Sequence, residues 1–412
     1  MNEKNTISNR AVMLVIIVSS LGFFVDLYDI MALSAIGKQS LISIGISNKD
    51  GIEDGLKNLQ NIQMLGMLIG GFAWGVIGDK YGRLKVLFGS IILYSTFTLL
   101  NAWVTTLPQY MLCRFLAGLG LAGELGAGIT LVSELMKKER RGLGPAILAG
   151  FGVLGAIVAV YVGKWYSWHT VYLVGGTLGF LLLVMRVGVV ESGLFTTAKN
   201  DQSTKGNFMI ILRNKTNLKK FVCILLVGIP GWYCNGVMMQ FSDYIAESMG
   251  MAIIPDKGTV IVCFFMSLCI GDVLGGFVSQ WLRSRKQSIY LFLLSHLVFL
   301  TLFFTVGKYS TTLYYSLFAG LGLTVGFVIQ LFTLAAEQFG TNIRTLVTSS
   351  GLNLIRAWVI PLTFLYTWLN NSFGLLRWQS AALLAFSVAT IALLALTQLS
   401  ETFDNDLNFT NE

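Results

Sequence analysis

The sequence predicts an all-α, polytopic membrane protein with twelve transmembrane helices arranged as two pseudo-symmetric six-helix halves. Three observations predict it: an apolar composition, twelve apolar runs of spanning length, and a polar basic stretch that divides those runs six and six. Of 412 residues, 54% are hydrophobic and only 12% are charged, at a mean hydropathy of +0.69. Soluble proteins carry about a quarter charged residues. The formal net charge of +8 does not point to nucleic acid, because no window joins a basic stripe to a soluble fold. The positive charge belongs to loops.

A helix needs about 20 apolar residues to cross a hydrocarbon core of ~30 Å. Runs of that kind fall near residues 11–37, 61–78, 86–104, 109–135, 144–163, 170–188, 219–241, 258–281, 287–307, 312–336, 345–369 and 378–399. Lys4 and Arg10 precede the first run in the manner of a signal peptide, but no small-residue cleavage pattern follows, so it is expected to stay attached. Lysine and arginine in alternate connections divide unevenly, twenty on one side against seven on the other, with Arg114 and Arg356 inside spans. Positive charge marks the cytoplasmic side, so both termini are expected there, in the cytoplasmic (inner) membrane of a bacterium. The expected domains are a six-helix bundle over 1–190, a basic cytoplasmic linker over 191–218, a second bundle over 219–400 and a short acidic tail over 401–412.

Cys113, Cys223, Cys234, Cys263 and Cys269 all sit in apolar segments without a C-x-x-C spacing and read as small buried thiols. His169 and His296 have no second ligand beside them, so neither a metal nor another cofactor is expected. No nucleophile motif or phosphate loop suggests an enzyme.

The connections after the second and eighth spans repeat one another. The first reads GVIGDKYGRLK from Gly75 and the second GFVSQWLRSRK from Gly276. Each is a small-residue helix end running into a tight basic turn. Gly82 suits a backbone that needs unusual angles, and Asp79 would face a helix N-terminus or a cation such as Arg140 or Arg141. This cluster, with Lys80 and Arg83, is expected to latch the two halves on the cytoplasmic side in the outward-facing state.

Gly75, Asp79, Lys80, Gly82, Arg83 and Lys85 resemble the loop signature of the major facilitator superfamily, G-x-x-x-D-[RK]-x-G-[RK]-x-[RK]. RFLAGLGLAGELGAGITLVSE in span four, RVGVVESGLF ending span six and AEQFGTNIR ending span ten are similar to its branch of metabolite, organic-acid, sugar and phosphate proton symporters. GFFVDLYD, residues 22–29, is similar to the D-x-[YF]-D element of the first helix in that branch. The resemblance implies a secondary transporter in which the Glu124 carboxylate and the arginine of span four take part in coupling and substrate handling. With Gly275 set on Gly75, Ser279 stands where the signature has its aspartate, which makes the second loop a degenerate copy.

Charges inside spans are costly, about 2.5–3.5 kcal/mol each near the bilayer centre, and face cavities or partners. Asp26 and Asp29 lie one turn apart on roughly one face, a placement in which both do not ionise easily and which suits a proton carrier. Arg114 and Glu124 are about 15 Å apart along span four and do not form one pair. Asp272 is a candidate latch with Arg283. Arg356, with Asn353 on the same face, needs an anion, whether Glu337, Asp272 or the substrate; its guanidinium suits a carboxylate or phosphate. In span seven, Pro230 among glycines loosens the helix, while Trp232, Tyr233, Asn235 and Gln240 offer aromatic walls and amides. Tyr28 and Gln330 are further cavity candidates.

The expected function is proton-coupled uptake of a small polar metabolite, with a lean to organic anions, by alternating access. Asp26, Asp29 and Glu124 are the coupling candidates. The expected partners are a small-molecule substrate, the proton and the lipid bilayer, with a monomer as the working unit. Proton-driven efflux and a nutrient sensor that moves nothing are the competing readings.

Overall fold

The computed structural model describes residues 9–81, 83–123, 143–191, 213–339 and 344–403. In the first half, α1 (Asn9–Ser43), α2 (Lys49–Tyr81), α3 (Arg83–Leu100), α4 (Leu107–Leu121), α5 (Leu143–Trp165) and α6 (Trp168–Glu191) occupy the six expected positions. In the second, α7 (Lys215–Tyr233) runs into a π-helical turn, Cys234–Met239, and then a short α8 (Ser242–Ser248). There follow α9 (Lys257–Trp281), α10 (Arg285–Val306), α11 (Thr311–Val325), α12 (Phe327–Gln338), α13 (Arg344–Ala357), α14 (Val359–Phe373) and α15 (Arg377–Thr397). Spans ten and eleven are therefore each two helices, broken at Gly326 and Trp358, which periodicity alone does not reveal.

Helix starts follow their capping residues. Asn214 accepts from the backbone N–H of Thr216 and Asn217 ahead of α7, and Asp256 from Thr259 ahead of α9. Each satisfies a donor that the first turn would otherwise leave unpaired. Gly374, at φ +63°, ends α14 in the left-handed conformation that a Cβ disfavours.

α2 begins twelve residues before the apolar run expected at 61. Its first three turns, KDGIEDGLKNLQ, are polar, and a helix need not stop where the hydrocarbon does. Apolar windows measure the bilayer, not the helix.

The two halves repeat their packing. α1 lies along α5 as α7 lies along α13, α2 along α4 as α9 along α11, and α3 along α6 as α10 along α15. Glycines permit the closest of these approaches. A Cβ at Gly66 would strike the Phe115 carbonyl and one at Gly118 the Gln63 carbonyl, between α2 and α4. In the matching pair a Cβ at Gly271 would strike the Leu323 carbonyl and one at Gly322 the Phe264 carbonyl. Backbone contact of this kind is how helices associate where lipid removes the hydrophobic drive. Across the halves, α5 packs on α9 and α2 on α13 and α14, again a symmetric pair.

Candidate functional site: two buried ion pairs on α1

α1 passes through the middle of the molecule, so its polar side chains must find partners on the surrounding helices. Asp26 and Asp29 are both 0% exposed. Three residues of helix turn through about 300°, leaving the pair ~60° apart. With neighbours on every side, that is enough to send each to its own arginine. The two carboxylates, expected on roughly one face, thus each meet a cation of their own.

Asp29 belongs to the first half alone. Arg114 Nη2 is 3.1 Å from its Oδ1 and Nη1 is 3.3 Å from its Oδ2. Gln63 donates Nε2–H to Oδ2 at 3.0 Å and Thr98 donates its hydroxyl to Oδ1 at 2.9 Å. The Arg114 guanidinium lies over the Tyr172 ring, 4.7 Å from its centroid. Tyr172 and Tyr110 are hydrogen-bonded through their hydroxyls, and Tyr110 reaches Ser40 at 3.1 Å. Four donors on one carboxylate, two of them charged, hold it firmly.

Asp26 reaches across to the second half. Arg356 Nη2 is 2.8 Å from Asp26 Oδ2, and this anion replaces the Glu337 or Asp272 expected from sequence. Arg356 is 1% exposed, yet its Nε and Nη1 have no hydrogen-bond partner, and neither does Asp26 Oδ1. Trp232 lies beside the guanidinium, 5.2 Å from ring centroid to Cζ. One turn earlier, Asn353 donates to the Ala122 carbonyl at 3.3 Å and leaves its Oδ1 unpartnered. A buried polar group without a partner costs roughly 1–3 kcal/mol, more when charged. Several of them around one ion pair describe a site built for something more.

The other candidates divide between this site and ordinary packing. Gln240 accepts from Ser34 across the halves at 2.6 Å and leaves its Nε2 unpartnered; Gln330 leaves both amide atoms unpartnered against Gly275. Asn235 sits buried in the π-helical turn. Tyr28 turns instead into the first half, donating to the Val171 carbonyl at 2.8 Å, and Tyr233 donates to the Ala381 carbonyl in the second. Both tyrosines fasten helices. Glu124, Gly82, Arg140 and Arg141 lie outside the described residues, as do the side chains of Asp79, Lys80, Arg83 and Lys85. Gly75 is exposed near the end of α2 with open space around it.

The expected latch between Asp272 and Arg283 does not form. Arg283 is exposed, and Asp272 lies with its backbone against Gly326, where a packed small-residue helix contact forms instead. Arg285 takes the role, donating to Ser279 at 2.9 Å and pairing with Glu337 at 3.4 Å. Serine thus receives the arginine where the first loop has aspartate. Glu401 closes the same cluster, accepting from the Ser284 hydroxyl and from the backbone N–H of Arg285 and Lys286 at 3.0 and 3.1 Å. Burial pushes the Glu401 carboxyl up, but the Ser284 hydroxyl and the N–H groups of Thr402, Arg285 and Lys286 outweigh it and hold it below its usual value.

At the opposite end a clasp joins the halves. Lys49 meets Glu247 at 2.5 Å, and Arg377 meets Glu53 at 2.6 Å and Asp50 at 3.7 Å. Tyr244 lies between the two cations, 5.8 Å from Lys49 and 5.6 Å from Arg377. Asn61 accepts from Thr363 at 2.8 Å nearer the centre. Sequence reasoning missed the clasp, and with it Gln63, Thr98 and Tyr172. The available signals were the charged turns of α2 ahead of its apolar run and isolated polar residues inside spans two and three.

Twelve spanning positions in repeated halves, with one ion pair buried across their meeting plane and another inside the first half, define a multi-pass membrane transporter of small molecules. The chain belongs to the Major Facilitator Superfamily, whose family model matches residues 12–360. It is 26% identical over 390 residues to the sialic acid transporter NanX of Escherichia coli, covering 91% of both chains. It is 24% identical over 388 residues to the cis,cis-muconate transport protein of Acinetobacter baylyi, covering 91% of this chain and 92% of that one. The solved structure of the proton:xylose symporter XylE superposes with a TM-score of 0.74 at 14% identity, covering 97% of this chain and 98% of XylE.

Proposed function

We propose that the protein is a proton-coupled symporter of a small organic anion, working by alternating access, with Asp26 as the group that takes up and releases the proton. The observation that carries this is the Asp26–Arg356 pair. It is fully buried, it joins the two halves, and its hydrogen-bonding capacity is unfilled on both sides. A pair across the halves can be made and broken as they rock; the Asp29–Arg114 pair, confined to one half, positions α1. Relatives named for sialic acid and cis,cis-muconate, both carboxylic acids, support an anionic substrate, and XylE supports the proton.

The lysine and arginine count supports a cytoplasmic location for both termini and for the Ser284–Glu401 cluster. The clasp of Lys49, Glu53, Glu247 and Arg377 then closes the outer end, which makes this the inward-facing side of the cycle. Opening outward breaks the clasp and brings Asp79, Lys80, Arg83, Arg140 and Arg141 together at the inner end. The clasp and the Asp26–Arg356 pair lie within one chain, so a monomer suffices.

The test is uptake by purified protein in proteoliposomes under an imposed inward proton gradient. Symport predicts accumulation inside, lost in Asp26→Asn while counterflow continues. Expulsion of solute against that gradient would establish export instead, and binding without any exchange would leave a sensor.

A further inference from the structure

We propose that a substrate carboxylate takes the place of Asp26 on Arg356, so that one proton and one monoanion cross together with no net charge. This rests on the symport reading above and deepens it to a substrate class and a stoichiometry.

Arg356 offers five N–H donors and uses one of its nitrogens, Nη2, on Asp26. Nε and Nη1 flank that nitrogen and are unpartnered. A carboxylate bound through two parallel hydrogen bonds must therefore use Nη2 as one of its two donors, whichever edge it takes. Nη2 carries two hydrogens and Asp26 takes one of them, so two carboxylates can sit side by side on Arg356, but they compete for its single positive charge. Asp26 yields when its free Oδ1 takes a proton, because a neutral carboxyl no longer holds the guanidinium. Trp232 against the guanidinium fixes its plane, and Asn353, one turn away, presents an unpartnered Oδ1 to a hydroxyl or amide of the incoming molecule.

Charge counting then gives the coupling. Empty, the site holds Asp26 as carboxylate and Arg356 as cation, and is neutral. Loaded, it holds protonated Asp26, Arg356 and one monoanion, and is again neutral. Proton alone leaves an excess positive charge and anion alone an excess negative one, and uncompensated charge in a closed interior is costly. Only the neutral forms turn over. The charges on the packed elements do not pair with Asp26 or Arg356: on α9, Lys257 donates to the Gln240 carbonyl at 2.6 Å and Asp272 lies with its backbone against Gly326. From α1 itself the facing charge is Asp29, already held by Arg114; from α13 it is Arg356; and α5 presents Gly152 and Gly155 to this stretch of α1. A dianion would leave the loaded site negative, so the substrate is a monocarboxylate.

The experiment uses the full chain in proteoliposomes with matched probes: nicotinate against nicotinamide, benzoate against benzamide, and N-acetylneuraminate and lactate against xylose. The expected result is that monocarboxylates are carried and their uncharged counterparts are not. Accumulation reaches about tenfold per unit of pH gradient and is the same at zero and at inside-negative potential clamped with valinomycin. Arg356→Gln abolishes carriage and Arg356→Lys keeps part of it. Should Arg356→Gln fail to elute as a single species, Asp26→Asn reads the same claim, exchanging the monoanion at a rate that no longer depends on pH. Carriage of no monocarboxylate in the panel, equal carriage of an amide, or a tenfold change in accumulation with about 60 mV of potential each overturns the proposal. Proton-driven accumulation of xylose alone would overturn it while leaving symport standing. Carboxylate exchange that no proton gradient drives would overturn the symport reading itself.

Discussion

The two carboxylates of α1 have the same chemistry and opposite situations. Asp29 is saturated by donors from Gln63, Thr98 and Arg114, all within one half. Asp26 meets one nitrogen from the other half and leaves an oxygen empty. A buried charge can be held to build structure or held loosely to do work, and the number of donors around it separates the two.

The largest expected effect comes from breaking the saturated pair. Arg114→Leu leaves Asp29 buried without its cation, which costs about 3–5 kcal/mol and should appear as a large drop in thermal midpoint, partly restored by Asp29→Leu in the same chain. If Arg114→Leu melts like the wild type, the pair is not the structural one. Thr98→Val removes one hydrogen bond to a charged group, for about 1.5–3 kcal/mol, and should lower the midpoint less while exchange continues. Arg356→Gln should invert that pattern, with a smaller loss of stability than Arg114→Leu and complete loss of transport.

Smaller effects belong to the ends. Arg377→Gln removes a part-exposed clasp worth up to ~1 kcal/mol, screened by salt. It should shift cysteine-probe accessibility at the outer end toward the open state, most visibly at low ionic strength. The slightest is Glu401→Gln at the inner end. Because the Glu401 carboxyl lies below its usual value in the folded protein, its contribution is present above about pH 4.3 and is lost as the pH falls through the lower folded value. Wild type and variant should therefore differ in thermal midpoint at pH 7 and converge on acidification; a gap that widens in acid would contradict the sign.

The fold was legible because a bilayer imposes its thickness on composition, and twelve apolar runs with a basic divider say most of what there is to say. The breaks at Gly326 and Trp358 were not legible, since broken and continuous helices bury the same apolar residues. In the site, Asp26, Asp29, Arg114 and Arg356 stood out by their cost, but their pairing did not. One turn of helix puts two residues near one face in sequence, and only the neighbours decide that 60° separates two functions. The clasp escaped because Lys49, Glu53, Glu247 and Arg377 lie outside the apolar runs, where charge is ordinary and carries no signal. Serine at 279 looked like a lost gate residue, yet it receives Arg285, a substitution of partner that no single position discloses.

The central claim is that the Asp26–Arg356 plane joins the halves in this state and parts during the cycle. One measurement reaches it without touching either residue. A Cβ placed on Gly71 lies 3.4 Å from the Asn353 Cβ across the halves, at the short edge of the spacing a disulfide needs. In a background whose five native cysteines are replaced by alanine, Gly71→Cys with Asn353→Cys should cross-link on oxidation. The oxidised protein should then show no exchange in proteoliposomes, with exchange returning on reduction. Exchange by fully cross-linked protein at the reduced rate would contradict the account.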